Sequence, residues 1–339
     1  MAFNRLAPED FVISSDSITA TLWSEGTVAL TNFNTSSTQE AGSSGDFYLN
    51  VFQTASTSDS AAVQFAIAYG NRYASGSTFY NNGVTTASPT RTTYGQYRNL
   101  ILGDENTQFV FGTATSSDFW VINIDRTRYK ESLLPGSLTL ILSGSKVGSG
   151  GGKLSLTDDS QVSTTTIFND AGRVYQIVSG AAGTIYTATN ANGYTTNSGS
   201  YGWFLPDIGT ILLNPLAISS SLQVGPSRSV NSDGLNYQKL FTAISGGANF
   251  QINSQETISS DYIFIRARNA EFNYSENPSF ISGSTGEIVF NQFINNPQTF
   301  LTTIGLYNDN MELLAVAKMS RPLLKDFTKE ALVRVKLDF

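Results

Sequence analysis

The chain has 339 residues with no histidine and no cysteine, and 20 Lys and Arg against 27 Asp and Glu give a net charge of −7. The two absences exclude Ser-His-Asp and Cys-His nucleophiles, imidazole and thiolate metal sites, dithiol redox chemistry and any disulfide. A charged fraction of 14% beside 12% aromatics excludes a chain held unfolded by its own charge, and the acidic balance argues against a nucleic-acid partner.

The charge is uneven. Residues 1–60 hold one base, Arg5, and seven acids, whereas from Lys318 onward six bases face three acids. An acidic front and a basic back suit docking between copies or neighbours through complementary fields, and two solvated faces with unrelated biases would give the same counts. The opening residues have no basic region followed by an apolar run, and nowhere do 18 apolar residues follow one another. The sequence therefore predicts cytoplasmic synthesis without a secretory signal or membrane insertion.

Clusters of Ser, Thr, Asn and Gly cut the chain into short runs that alternate with the period of two of half-buried strands. In chain order the runs are 47–52 and 63–69, the latter with Val63, Phe65, Ile67 and Tyr69 on one face. A helix is predicted over 88–103. Ser88 is suited to cap it, Pro89 to its first helical position, Tyr94, Tyr97, Leu100 and Ile101 recur at helical spacing, and Gly103 can take a left-handed stop. Gly95 inside it costs roughly 1 kcal/mol of propensity relative to alanine. Strands follow at 108–111, 119–125 and 138–142. The Ser- and Gly-rich stretch 143–152 then has the composition of a flexible linker or a long hairpin tip.

Further strands are predicted at 173–178, 184–189 and 210–213, then a short helix from Asp233 to Ile244, then strands at 262–268, 287–290, 299–307, 312–318 and 332–339. In the last, Val333, Val335, Leu337 and Phe339 share a face opposite Arg334, Lys336 and Asp338. The reading is a mainly β chain of antiparallel, β-sandwich-type domains with one or two short helices. Three segments are expected: an N-terminal β-rich domain with one helix over 1–145, a β-rich middle over 146–230, and a C-terminal β domain over 231–339.

Chemical motifs are few. The Gly-rich 148–154 stretch is not a phosphate loop, because Leu154 stands where the hydroxyl ligand of magnesium is needed and Val147 where the first glycine is needed. Asn308–Asn310 and Thr157–Ser160 offer oxygens but lack the spaced acids of a calcium loop, and Asn308–Asn310 reads as a hairpin turn. Asp104, Glu105, Asp125, Asp158 and Asp159 are the acids a glycosidase would draw on, with Trp23, Trp120 and Trp203 as sugar platforms, yet no spacing among them is diagnostic. No catalytic, metal or cofactor residue is assigned. Arginine makes bidentate contacts with carboxylates across interfaces. The candidate interface residues are therefore Arg126, Arg128, Arg266 and Arg268, with Lys318, Arg321, Arg334 and Lys336 of the basic back.

One resemblance extends this reading. The runs Asn273-Tyr-Ser-Glu-Asn-Pro-Ser-Phe280, Gly283-Ser-Thr-Gly-Glu287, 296–310, Glu312-Leu-Leu-Ala-Val-Ala-Lys318 and Arg321-Pro-Leu-Leu324 resemble virion structural proteins of contractile-tailed, T4-like phages, particularly those of marine cyanobacteria. In the N-terminal half, 65–72 with Gly76, and 94–105, are similar to the same group. Ile304-Gly-Leu-Tyr307, a turn and Leu313-Leu-Ala-Val-Ala317 resemble a hairpin of tail-fibre and tail-collar proteins. The resemblance covers about half the chain and least of 144–230. It implies a non-enzymatic building block of the virion, assembled in the host cytoplasm and placed in the baseplate, with the neck or a fibre as the alternatives. It also implies other tail proteins and copies of this chain in a symmetric assembly as partners. The rival reading is a receptor-binding module holding a host glycan on its aromatic residues.

Overall fold

The computed structural model describes residues 5–36, 48–74, 89–145, 152–163, 166–186, 198–229 and 235–338. The chain is mainly β: of the described residues 46% are strand and 18% helical, in mostly antiparallel sheets with four helices. The helices are α1 (Thr90–Leu102), α2 (Pro215–Leu222), α3 (Asn236–Gly247) and α4 (Gln292–Asn295). The chain forms two compact units, a larger one over 18–256 and a smaller one combining 1–17 with 257–339.

The larger unit is organised by a 13-stranded sheet. Its central path runs Thr139–Ser143, Lys153–Asp158, Gly172–Ala181, Gly202–Leu205, Thr210–Leu213, Asp118–Ile124, Val63–Asn71 and Tyr48–Phe52, every neighbour antiparallel. Side chains alternate across a strand, so each central strand feeds two cores. Trp120, Ile122 and Ile124 join Phe65, Ile67, Tyr69, Ile211 and Leu213 in one core, while Phe119, Val121 and Leu212 join Tyr94, Ile101, Phe109 and Phe111 in the other. A sheet buried on both faces reads as near-continuous apolar runs, which is why Phe119–Ile124 contains only one polar residue.

Helices seal both faces. In α3, Tyr237, Leu240 and Ile244 lie in the first core, and Trp120 Nε1 donates to the Asn236 carbonyl at 2.9 Å. Gly247 lets the helix approach, since a Cβ there would stand 1.7 Å from the Ile141 carbonyl oxygen. In α1, Tyr94 and Ile101 are two turns apart and face the second core. Gly103 ends α1 at φ 61°, the expected left-handed stop. Ser88 and Asp233, the expected caps, lie outside the described residues.

Several elements differ from the sequence reading. Neither α2 nor α4 is foreseen. α2 is capped by Asn214, whose Oδ1 accepts from Leu216 N–H, and starts at Pro215. The expected 287–290 strand is reduced to a single bridge between Ile281 and Ile288. Thr184–Ile185 is the part of the expected 184–189 strand that is seen, 187–189 lying outside the described residues. The chain also divides elsewhere than at 145 and 230. Leu140 pairs with Leu156 in register, so the Ser- and Gly-rich stretch joins hairpin strands of one sheet; its residues 146–151, which include most of the Gly-rich motif, lie outside the described residues. Beyond residue 230, α3 and Asn249–Gln251 still belong to the larger unit.

In the smaller unit Asn253–Ala267 lies between Phe11–Thr21 and Ala331–Asp338, paired with the latter from Ser260 opposite Asp338 to Ala267 opposite Ala331. Ile263, Ala267, Ala331 and Val335 are buried on one face. A separate two-stranded ribbon joins Gln298–Tyr307 to Leu313–Asp326. Its turn at Asn308–Asn310 is a hairpin turn as read from the sequence, with Asn308 Oδ1 accepting from Glu312 N–H at 2.8 Å.

Candidate functional site

The ribbon is the most unusual surface of the smaller unit. Apolar residues are arranged on both of its faces, and among the described residues neither outer edge pairs with another strand. Near the tip, Gly305 faces Val316 and Tyr307 faces Leu313 across the strands. The Tyr307 and Leu313 side chains close over Gly305. Leu313, Leu314 and Val316 are 53%, 68% and 57% exposed, and Phe300 is 64% exposed near the base. Between the Leu301–Leu323 and Thr303–Lys318 pairs, residues 319–322 bulge opposite Thr302 alone, which carries Arg321 and Pro322 out of the ladder.

The neighbouring sheet adds charge. Tyr262 pairs with Lys336, Phe264 with Arg334 and Arg266 with Leu332, so these six side chains share the face opposite Ile263 and Val335. The Arg334 guanidinium stands 5.4 Å and the Lys336 ammonium 5.9 Å from the Tyr262 ring centre. Arg266 pairs with Glu330 at 2.6 Å. Ser260 donates to Asp338 at 2.7 Å and Lys336 lies 2.9 Å from it, so the Asp338 carboxyl is held below its ordinary range and Lys336 above its own. Asp16 also acts on Lys336. Part of the acidic front is thus matched to the basic back inside the chain itself.

Of the eight candidate interface residues, Arg266, Arg334 and Lys336 come together on this face. Arg268 follows the strand end, where its backbone N–H donates to Glu271. Lys318 and Arg321 are exposed on the ribbon. Arg126 and Arg128 belong to the larger unit and have local work. Arg126 donates to the carbonyls of Tyr129 and Lys130 at 2.5 Å each, stacked 4.6 Å over the Tyr129 ring, and Arg128 donates to Ser24 Oγ at 2.6 Å. The Arg126 bonds close a turn and the Arg128 bond ties that turn to Ser24, which is a sufficient reason for arginine at both positions.

The other candidates are placed as follows. Trp23 and Trp120 are buried in the first core, which removes them as exposed sugar platforms, and Trp203 meets Phe109 and Phe111 edge-on at 5.7 and 5.6 Å. Asp104, Asp125 and Asp158 accept from the backbone N–H groups of Asn106, Thr127 and Gly136. Among the described residues no three acidic side chains are grouped to hold a metal ion, and no helix is long and apolar enough to cross a membrane. Sequence reasoning missed the Phe11–Thr21 strand, exposed along its whole length with Phe11, Val12 and Ile13 at its start. It also missed Lys325, fully buried, whose ammonium donates to Asn269 O, Asn273 Oδ1 and Asp326 O at 3.1, 2.8 and 2.9 Å.

Comparisons with protein-family models, curated proteins and solved structures return no match to this chain.

Proposed function

We propose that the chain is a structural subunit of a virus particle, a baseplate or other tail component of the T4-like, contractile-tailed kind, whose smaller unit holds neighbouring subunits. The observation that carries this reading is the ribbon of Gln298–Tyr307 and Leu313–Asp326, with Phe300, Leu313, Leu314 and Val316 exposed and both edges open among the described residues. A lone two-stranded ribbon is marginal in water, and exposed apolar patches with open edges mark contact with other chains. The sequence runs that resemble virion proteins cover this same ribbon. The larger unit, with a sheet buried on both faces, suits the role of a stiff support.

Mass spectrometry of purified virions from the phage that encodes the chain tests the reading. The expected result is many copies per particle, at a stoichiometry set by the symmetry of the tail. A chain that is made during infection and is missing from purified particles overturns it.

A further inference from the structure

The larger unit has a cleft that the assembly role leaves unused. It has a volume of about 420 Å3 and is lined by Arg72, Arg91 and Arg98 together with Tyr73, Gly95 and Glu105. Arg72 follows the end of Val63–Asn71, whereas Arg91 and Arg98 lie seven residues apart on α1 and so share a face of the helix. Three arginines from two elements therefore line one cleft, with Glu105 in its lining and the Asp104 carboxylate acting on Arg98 as counter-charges. Two of their donors are unused: Arg72 Nη1 and Arg98 Nε are buried and have no hydrogen-bond partner among the described residues. These two atoms are closed off from the cleft, so an anion seated there would meet the other donors of the same guanidinium groups, and arginines gathered around one cleft favour an anion in it.

Two further observations point to an occupant from outside the chain. Residues 75–88, which connect the Arg72 strand to α1, contain no charged residue, so they bring no counter-charge to the cleft. Gly95 sits in the middle of α1, where glycine weakens a helix, and among the described residues no atom beyond its own stretch of helix lies within 4 Å of where its Cβ would be. Packing does not require this glycine; its missing side chain enlarges the cleft.

We propose that the Arg72–Arg91–Arg98 cleft binds a tetrahedral oxyanion, phosphate or sulfate, free or carried as an ester on a sugar. Three arginine forks need more acceptor oxygens than the two of a carboxylate, and the three positive charges outnumber the carboxylates of Glu105 and Asp104. The volume lies within the range of small-ligand sites and leaves room for a sugar beside the anion.

Calorimetric titration of the full chain at low salt with sodium phosphate, sodium sulfate, glucose 6-phosphate and glucose tests the assignment. Phosphate or sulfate is expected to bind, with an affinity that falls as sodium chloride is added. Arg72→Gln and Arg98→Gln should each weaken binding by about tenfold or more, the worth of one charge-assisted contact, and exposed Arg91→Gln by less. Gly95→Leu keeps all three arginines and should weaken binding at least as much as Arg98→Gln by narrowing the cleft, with the thermal unfolding of each variant confirming that it folds. Glucose 6-phosphate binding at least tenfold tighter than phosphate assigns the ester; equal binding assigns the free ion. No binding of any anion, or binding that survives both Arg98→Gln and Gly95→Leu, overturns the proposal.

Discussion

Replacing Leu313, Leu314 and Val316 together by serine separates an assembly surface from a folding core. Their side chains are 53%, 68% and 57% exposed, so a little over half of each is still available to a partner. Complete burial of a Leu or Val side chain is worth about 1.5–3 kcal/mol, and the exposed half therefore about 1–1.5 kcal/mol. Three such losses amount to about 3–4 kcal/mol per contact, or roughly a hundred- to a thousandfold in dissociation constant. Folding should change by no more than about 0.5 kcal/mol per site, because these groups face solvent in the single chain. Sedimentation velocity over a wide concentration range, with thermal unfolding of the same samples, measures both quantities. An unchanged dissociation constant, or a variant that incorporates into virions as well as the parent, refutes the argument that the ribbon holds subunits together.

Three further outcomes concern the fold. Burial raises the Asp159 carboxyl from 3.8 to about 6, with the neighbouring Asp158 charge adding to the shift. The folded chain then keeps a proton that the unfolded chain gives up, so the contribution of this group to stability is full below about pH 4 and is lost as pH rises through 6; Asp159→Asn should remove this dependence and stabilise at pH 7 by on the order of 1–3 kcal/mol in urea titrations. Gly247→Ala would put its Cβ 1.7 Å from the Ile141 carbonyl oxygen and push α3 off the sheet; a loss of about 2–3 kcal/mol, seen as a lower denaturant midpoint, is expected. Lys325→Met strands three acceptors around a fully buried position and should cost about 2–4 kcal/mol, with faster hydrogen exchange and proteolysis around 269–273.

Much of the fold is legible in local pattern. The alternation of 63–69 places Phe65, Ile67 and Tyr69 in one core, and Gly103 stops α1, because both signals depend only on near neighbours. The Phe11–Thr21 strand was hidden because both its faces are exposed and the sequence has no buried face to reveal. Glu287–Phe290 looked like a strand by composition but has no partner ladder beyond one bridge, and pairing is a tertiary fact. Of the candidate surface, the register of Arg334 and Lys336 opposite Val333 and Val335 could be read from alternation. That Arg126 closes its own turn could not, since its acceptors are backbone carbonyls that any sequence carries. The seven-residue spacing of Arg91 and Arg98 was an available signal, whereas the arrival of Arg72 at the same cleft depends on how α1 lies on the sheet.

The composition of the smaller unit from both ends of the chain has a consequence for timing. Phe11–Thr21 leaves the ribosome early, but its neighbour Asn253–Ala267 and then Ala331–Asp338 emerge only some 240 and 320 residues later. Sheets that join such distant segments close late in folding. The larger unit, residues 18–256, is fully synthesised before residues 257–339 emerge. The sheet that joins the two ends of the chain is therefore completed only after the larger unit has been synthesised, so that nascent or truncated copies lack it.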